Sequence, residues 1–271
     1  LLLITPGADL SLAGSFAQNG PGSTELGGNI TTDNGGISFD QALLLTESVR
    51  LDSSNRNGDI TFLGPVDSEG SAGSGEHNSL TLASGSGTIS FNGDIGAGDL
   101  GDQELGNLTV VTAGMVLFGG ADAGGFGTTG PVTTIATDGV IDIGTGDHVI
   151  AGGIVLNAGS GTMIITTTDD TIRFNGPVTL SSEVDIDTNF TGTGGTVTFT
   201  SSASVDSQFG ESNGLTIDAG TQRVLFNNDI GLLNAIGALT ITQADSGVIF
   251  CESDADQGPG STGPVATLAT E

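Results

Sequence analysis

The chain has 271 residues, of which 47 are Gly, 32 are Asp or Glu and four are basic, giving a formal net charge of -28 with no Lys, Trp or Tyr. A surface this acidic cannot neutralise phosphates, so nucleic acid is excluded as a partner, and an anionic membrane repels it. No unbroken apolar run exceeds a few residues, which excludes a membrane-spanning helix. The single Cys251 rules out an internal disulfide, and His77 and His148 are too far apart in sequence for metal-ligand spacing.

The chain begins on an apolar segment, residues 1–4, with no initiator Met and no charged leader, so it reads as a cut end. After this opening strand, short triplets recur in which apolar residues flank a polar one. The triplets ending at Phe39, Phe62, Phe91, Phe118, Phe174, Phe199, Phe226 and Phe250 stand 23, 29, 27, 56, 25, 27 and 24 residues apart. The 56 is read as two periods with one Phe replaced, its place filled by residues 141–143. This gives a period of roughly 26 residues.

The flanks of each triplet repeat as well. Phe91-Asn92-Gly93-Asp94-Ile95 matches Phe174-Asn175-Gly176-Pro177-Val178, and Phe226-Asn227-Asn228-Asp229-Ile230 fits the same frame. Leu80-Thr81-Leu82, Leu108-Thr109-Val110, Leu215-Thr216-Ile217 and Leu239-Thr240-Ile241 lie eight to eleven residues before a Phe. A longer echo relates residues 127–138 to residues 260–271, so the C-terminus reads as the opening of another unit. Alternating, β-branched segments of three to six residues, punctuated by Gly, Asn, Asp and Pro, predict strands throughout and no useful helix.

The period is too short for a propeller blade, and a sandwich would need longer strands and aromatic anchors. The expected fold is all-β, a right-handed parallel β-helix or β-solenoid of about ten coils of roughly 26 residues. Residues 1–271 then form a single solenoid segment, a piece of a longer array. The Phe residues are expected to stack inside it, and Asn92, Asn175 and Asn227 to form a ladder at one corner. Such small coils exclude Trp and Tyr. Stretches 67–79 and 119–129 are expected to leave the coils as loops.

The frame running from Leu80 to Ile95 and its copies resembles the repeats of large bacterial surface proteins, the filamentous-haemagglutinin-like and autotransporter-passenger-like β-helix adhesins. The resemblance implies a right-handed parallel β-helix, secretion to the cell surface and a structural or adhesive role. It brings no catalytic residues.

Candidate sites are few. Asp185 and Asp187 share a strand face, with Asp169 and Asp170 one coil earlier. Oxygen ligands of this kind suit Ca²⁺, and paired carboxylates serve glycoside hydrolysis. A solvated acidic face accounts for the same residues and is the reading preferred here, because aromatic platforms are lacking and Arg173 and Arg223 are the only bases nearby. The Gly-rich run 119–125 lacks the spacing of nonapeptide calcium repeats. The sequons at Asn29, Asn107 and Asn189 are no more than chance supplies. Asp147 and His148 read as a surface turn, and Cys251 as a packing or exposed residue.

No catalytic, cofactor or metal residue is therefore assigned, and the expectation is a non-enzymatic protein. Its expected role is that of an extracellular building block that self-associates end to end into a filament or surface layer. The alternative is an adhesin stalk that recognises a glycan or surface through its loops.

Overall fold

The computed structural model describes residues 1–70, 77–98, 103–120 and 130–250. The described residues are all-β: 27 strands of three to six residues and one 3-10 turn, Ser54–Arg56. Every strand pairing is parallel. A ten-stranded sheet (sheet B) runs from Leu10–Leu12 to Val248–Phe250, and an eight-stranded sheet (sheet C) from Phe16–Gln18 to Val205–Ser207. A four-stranded sheet A starts at Leu2–Ile4, and a five-stranded sheet A′ ends at Leu239–Gln243. Single bridges, Val66 to Ile95 and Ile95 to Ile135, tie A to A′.

The chain visits these sheets in rotation. Leu2–Ile4, Leu10–Leu12 and Phe16–Gln18 enter A, B and C, and Thr24–Leu26 returns to A beside the first strand. The rotation continues to the last described strand, with a strand reduced to a bridge residue at Ile95 and at Ile230. Within most three-residue strands the outer two residues are buried and the middle one faces out. Period-two alternation on such short segments points two apolar side chains inward per strand, and these form one continuous core. The largest fully buried side chains are Phe, consistent with an interior too narrow for Trp.

Glycine is needed where successive passes of the chain nearly touch. A Cβ on Gly87 would lie 2.6 Å from the carbonyl oxygen of Gly58, and one on Gly152 would lie 2.5 Å from that of Gly114. The second pair hydrogen-bonds directly, Gly152 N donating to Gly114 O at 2.7 Å.

The Phe residues form two stacks rather than one. Phe39, Phe62, Phe91 and Phe118 stack in sheet C with centroids 4.8–5.7 Å apart. Phe174, Phe199, Phe226 and Phe250 stack in sheet B at 4.9–5.4 Å. The place before Phe174 is taken by Ile143, as expected, but Phe118 is succeeded by Leu156. The 56-residue gap therefore corrects to five sheet steps, from C through A′, B, C and A′ to B, and not two whole periods.

The neighbouring motif moves with the Phe residues. Leu80-Thr81-Leu82 lies in sheet B, whereas Leu215-Thr216-Ile217 lies in A′. Each sheet asks only for an apolar-x-apolar triplet, so the same sequence unit fits any side.

Two further expectations change. Asp67 and Ser68 belong to strand Val66–Ser68 and not to a loop. The proposed Asn ladder does not form, because Asn92 follows a sheet C strand while Asn175 and Asn227 follow sheet B strands. Thr200 occupies the place between those two, its Oγ1 donating to Asn175 Oδ1 at 2.7 Å. The echo at residues 260–271, Cys251 and most of the Gly-rich run lie outside the described residues.

Candidate functional site

A polar ladder does exist, on the corner where the chain enters sheet B. Asp9, Asn29, Ser48, Ser79 and Asn107 each immediately precede a sheet B strand. Asn29 N donates to Asp9 Oδ1 at 2.8 Å, Arg50 N to Asn29 Oδ1 at 2.7 Å and Ser79 N to Ser48 Oγ at 3.0 Å. Asn107 N donates to Ser79 Oγ at 3.0 Å, and Val140 N to Asn107 Oδ1 at 2.7 Å. Each side chain thus satisfies a backbone N–H of the following pass. The signal was in the sequence: a short acceptor side chain directly before each apolar triplet. It also gives the sequon residues Asn29 and Asn107 a structural use. Replacing Asn107 by Ala is expected to cost about 1–2 kcal/mol, the loss of one acceptor with Val140 N left unpaired, measured as a lowered urea midpoint.

A second set of hydroxyls closes tight corners from inside. Thr32 ends a sheet B strand, Ser53 and Ser84 directly follow one, and all three donate to the carbonyls of Gly35, Gly58 and Gly87. In the second half the same role falls to Thr137 and Thr167, which end A′ strands, and Thr188, which follows one. This is the same one-sheet displacement that the Phe stacks show.

Charge is sorted by side. All four Arg lie on or beside sheet B: Arg50 in Val49–Asp52, Arg56 in the 3-10 turn that follows, Arg173 in Ile172–Phe174 and Arg223 directly before Val224–Phe226. Arg50 pairs with Asp52 at 2.9 Å and Arg173 with Asp142 at 3.0 Å. Arg173 also donates to the carbonyls of Gly144 and Gly146.

The outer face of A′ is acidic. Glu183, Asp185 and Asp187 point away from the core of strand Glu183–Asp187, and Asp187 sits in register with Asp218. Burial pushes the Asp185 carboxyl above its ordinary range, and Asp187 and Asp218 add repulsion. Asp170 is raised by burial and then by Asp138 and Asp169. Asp169 turns away to organise a loop: hydrogen bonds from Thr191, then from Gly194, hold its carboxyl below the ordinary range. For Asp52, partial burial pushes upward but is outweighed by Ser54 and Arg50, and the net direction is down.

The signs give a pH profile. Asp185 and Asp170 bind protons more readily folded than unfolded, so their contribution is full below the unfolded value and is lost as pH rises through the folded one. Asp52 and Asp169 contribute above the unfolded value and lose that contribution as pH falls through the folded one. Maximum stability is therefore expected in mildly acidic solution. Asp185→Asn should raise the urea midpoint at neutral pH, with the gain fading as the medium is acidified. A gain that is independent of pH contradicts the assignment.

Asp185, Asp187, Asp169 and Asp170 do not converge. Among the described residues no three His, Cys, Asp or Glu side chains are placed to hold a metal ion. Asp147 and His148 lie exposed in a turn closed by His148 N donating to Thr145 O at 3.2 Å. His77 Nδ1 approaches Glu104 O at 3.3 Å. No side chain set with nucleophile, base and orienting acid is assembled by these contacts.

The remaining features lie at the two ends of the sheets and on loops. At the first pass, a groove of about 550 Å³ opens beside Leu1, Leu2, Ala17 and Gln18. Among the described residues, strands Leu2–Ile4, Leu10–Leu12 and Phe16–Gln18 each have a neighbour on one side alone. At the last described pass, Val248 and Phe250 are 36% and 41% exposed. On the loops, Phe190, Phe209 and Leu233 are 77%, 87% and 78% exposed. No family model matches the chain, and no curated protein or solved structure matches it either.

Proposed function

We propose that the chain is a right-handed parallel β-helix of about ten turns and serves as a non-enzymatic building block of an extracellular filament or surface layer, assembled end to end. The β-helix reading is supported by the rotation through A, B and C and by the ten in-register strands of sheet B. The right hand follows the general preference of parallel crossovers. The surface location rests on the resemblance of the Leu80 to Ile95 frame to bacterial surface repeats.

The observation that carries the assembly is the open parallel edge of the first pass. Three strands there have one edge without a strand partner among the described residues, and Leu1, Leu2 and Leu3 are exposed. Unpaired edges recruit further strands, and a heterologous contact of this kind builds an open fibre. Electron microscopy of the purified chain over a range of salt concentrations tests this. Thin unbranched filaments, favoured by salt that screens the charge of -28, are the expected result. A strictly monomeric chain at high concentration and high salt overturns it.

The adhesin reading has its own support in Phe190, Phe209 and Leu233, apolar side chains held out on loops. It predicts saturable binding of monomers to a glycan or cell surface, lost when Phe209 is replaced by Ser.

A further inference from the structure

The strands at the first and last described passes set how copies would meet, an inference that rests on the end-to-end reading. We propose that strands Leu239–Gln243 and Val248–Phe250 of one copy pair, parallel and in register, with Leu2–Ile4 and Leu10–Leu12 of the next. Leu2 then lies over Leu239, Ile4 over Ile241, Leu10 over Val248 and Leu12 over Phe250.

Four observations converge on this seam. The strands involved close sheets A, A′ and B, so each has a free edge among the described residues. Their inward side chains are apolar and incompletely covered: Leu10, Leu239 and Ile241 are partly buried, while Leu2, Val248 and Phe250 are 38%, 36% and 41% exposed. Stacking would cover all of them and add Leu12 to the column that runs through Phe174, Phe199, Phe226 and Phe250.

The corners match as well. Five residues separate Ile4 from Leu10, and six separate Ile241 from Val248, so A-side and B-side pairing can form together. Finally, none of the four strands contains an ionisable residue. Eight of the strands between them carry Asp, Glu or Arg. The seam strands therefore bring no like charges into register with one another. Parallel polarity makes the contact head to tail, because two like ends would face each other antiparallel.

Disulfide trapping in a Cys251→Ser background tests the register. The proposed pairing sets Leu3 opposite Thr240, about 4.8 Å away across adjacent strands, inside the Cα range that a disulfide spans. Leu3→Cys with Thr240→Cys should give, on oxidation, a ladder of covalent multimers on a non-reducing denaturing gel. Leu3→Cys with Thr216→Cys, one pass further in, should not. Filaments without the 3–240 cross-link overturn the seam and leave end-to-end assembly standing. A chain that stays monomeric, its edge covered by residues 251–271 or otherwise closed, overturns both. A charge test needs no oxidation: Leu3→Glu with Thr240→Glu should raise the concentration required for assembly severalfold, and Leu3→Glu with Thr240→Lys should restore it. Identical behaviour of the two pairs also overturns the seam.

Discussion

Replacing Phe91 with Ala is expected to lower the free energy of unfolding by about 3–5 kcal/mol, read from the urea transition. Phe91 is fully buried, with Phe62 and Phe118 stacked on either side at 4.8 and 5.2 Å. The ladders that hold strand Thr88–Phe91 to both neighbours fix the backbone, so the cavity cannot collapse. Ring-to-ring contact adds to the transfer loss on both faces. Phe250 sits at the end of the other stack, 41% exposed, with Phe226 on one side at 5.4 Å. Its replacement should cost about 1 kcal/mol. Phe91→Leu should fall between the two, since the sheet C column itself passes from Phe118 to Leu156. Equal losses at Phe91 and Phe250 would contradict the stacked core.

Replacing Asn175 with Ala is expected to cost about 2–3 kcal/mol, far more than the same change at Asn92. Asn175 is 4% exposed, and its Nδ2 donates to Gly144 O at 3.2 Å and His148 O at 2.9 Å. Its Oδ1 accepts from Thr200 Oγ1 at 2.7 Å. Truncation removes the side-chain donor to the His148 carbonyl and the acceptor of the Thr200 hydroxyl, and leaves the turn at residues 144–148 held to sheet B by Arg173, which donates to Gly144 O and Gly146 O. At Asn92 neither Nδ2 nor Oδ1 has a hydrogen-bond partner among the described residues. Ala there removes a desolvated amide and is expected to be neutral within about 0.5 kcal/mol. The pair is informative because both residues follow a Phe and precede a Gly. Equal costs would mean that the shared motif, and not the local partners, sets the energetics.

The strands and their parallel order were legible in the sequence because each needs only an apolar-x-apolar triplet at a regular interval. Ile60-Thr61-Phe62, Val197-Thr198-Phe199 and Leu239-Thr240-Ile241 all lie in strands. Which side a triplet occupies was not legible, because nothing in Ile89-Ser90-Phe91 distinguishes it from Val224-Leu225-Phe226, yet one is in C and the other in B. Only residue counts along the intervening chain carry that information, and corners of variable length blur it.

The Asn ladder failed for the same reason. It aligned residues by motif when pairing follows position, and Thr200 stands where an Asn was expected. The ladder from Asp9 to Asn107 was overlooked because its members share an acceptor atom and not a residue type. Of the acidic candidates, the shared outward face of Asp185 and Asp187 was correctly read, whereas the turning away of Asp169 depends on its left-handed backbone, φ 61°.

The passage from Phe118 to Phe174 has a consequence for how such a chain can grow. Because it spans five sheet steps, the copies after it start their cycle one side earlier than those before. A duplication or deletion in this protein need not preserve whole circuits; any number of strand-and-corner modules leaves a foldable core. Each single-module change turns every later surface feature to the next side. The polar ladder before sheet B ends with Asn107, the acidic face of A′ is built after Phe118, and the exposed Phe190 and Phe209 follow it. Insertions that would scramble most folds act here as a dial, re-aiming the outer decoration of one half while the interior stays unchanged.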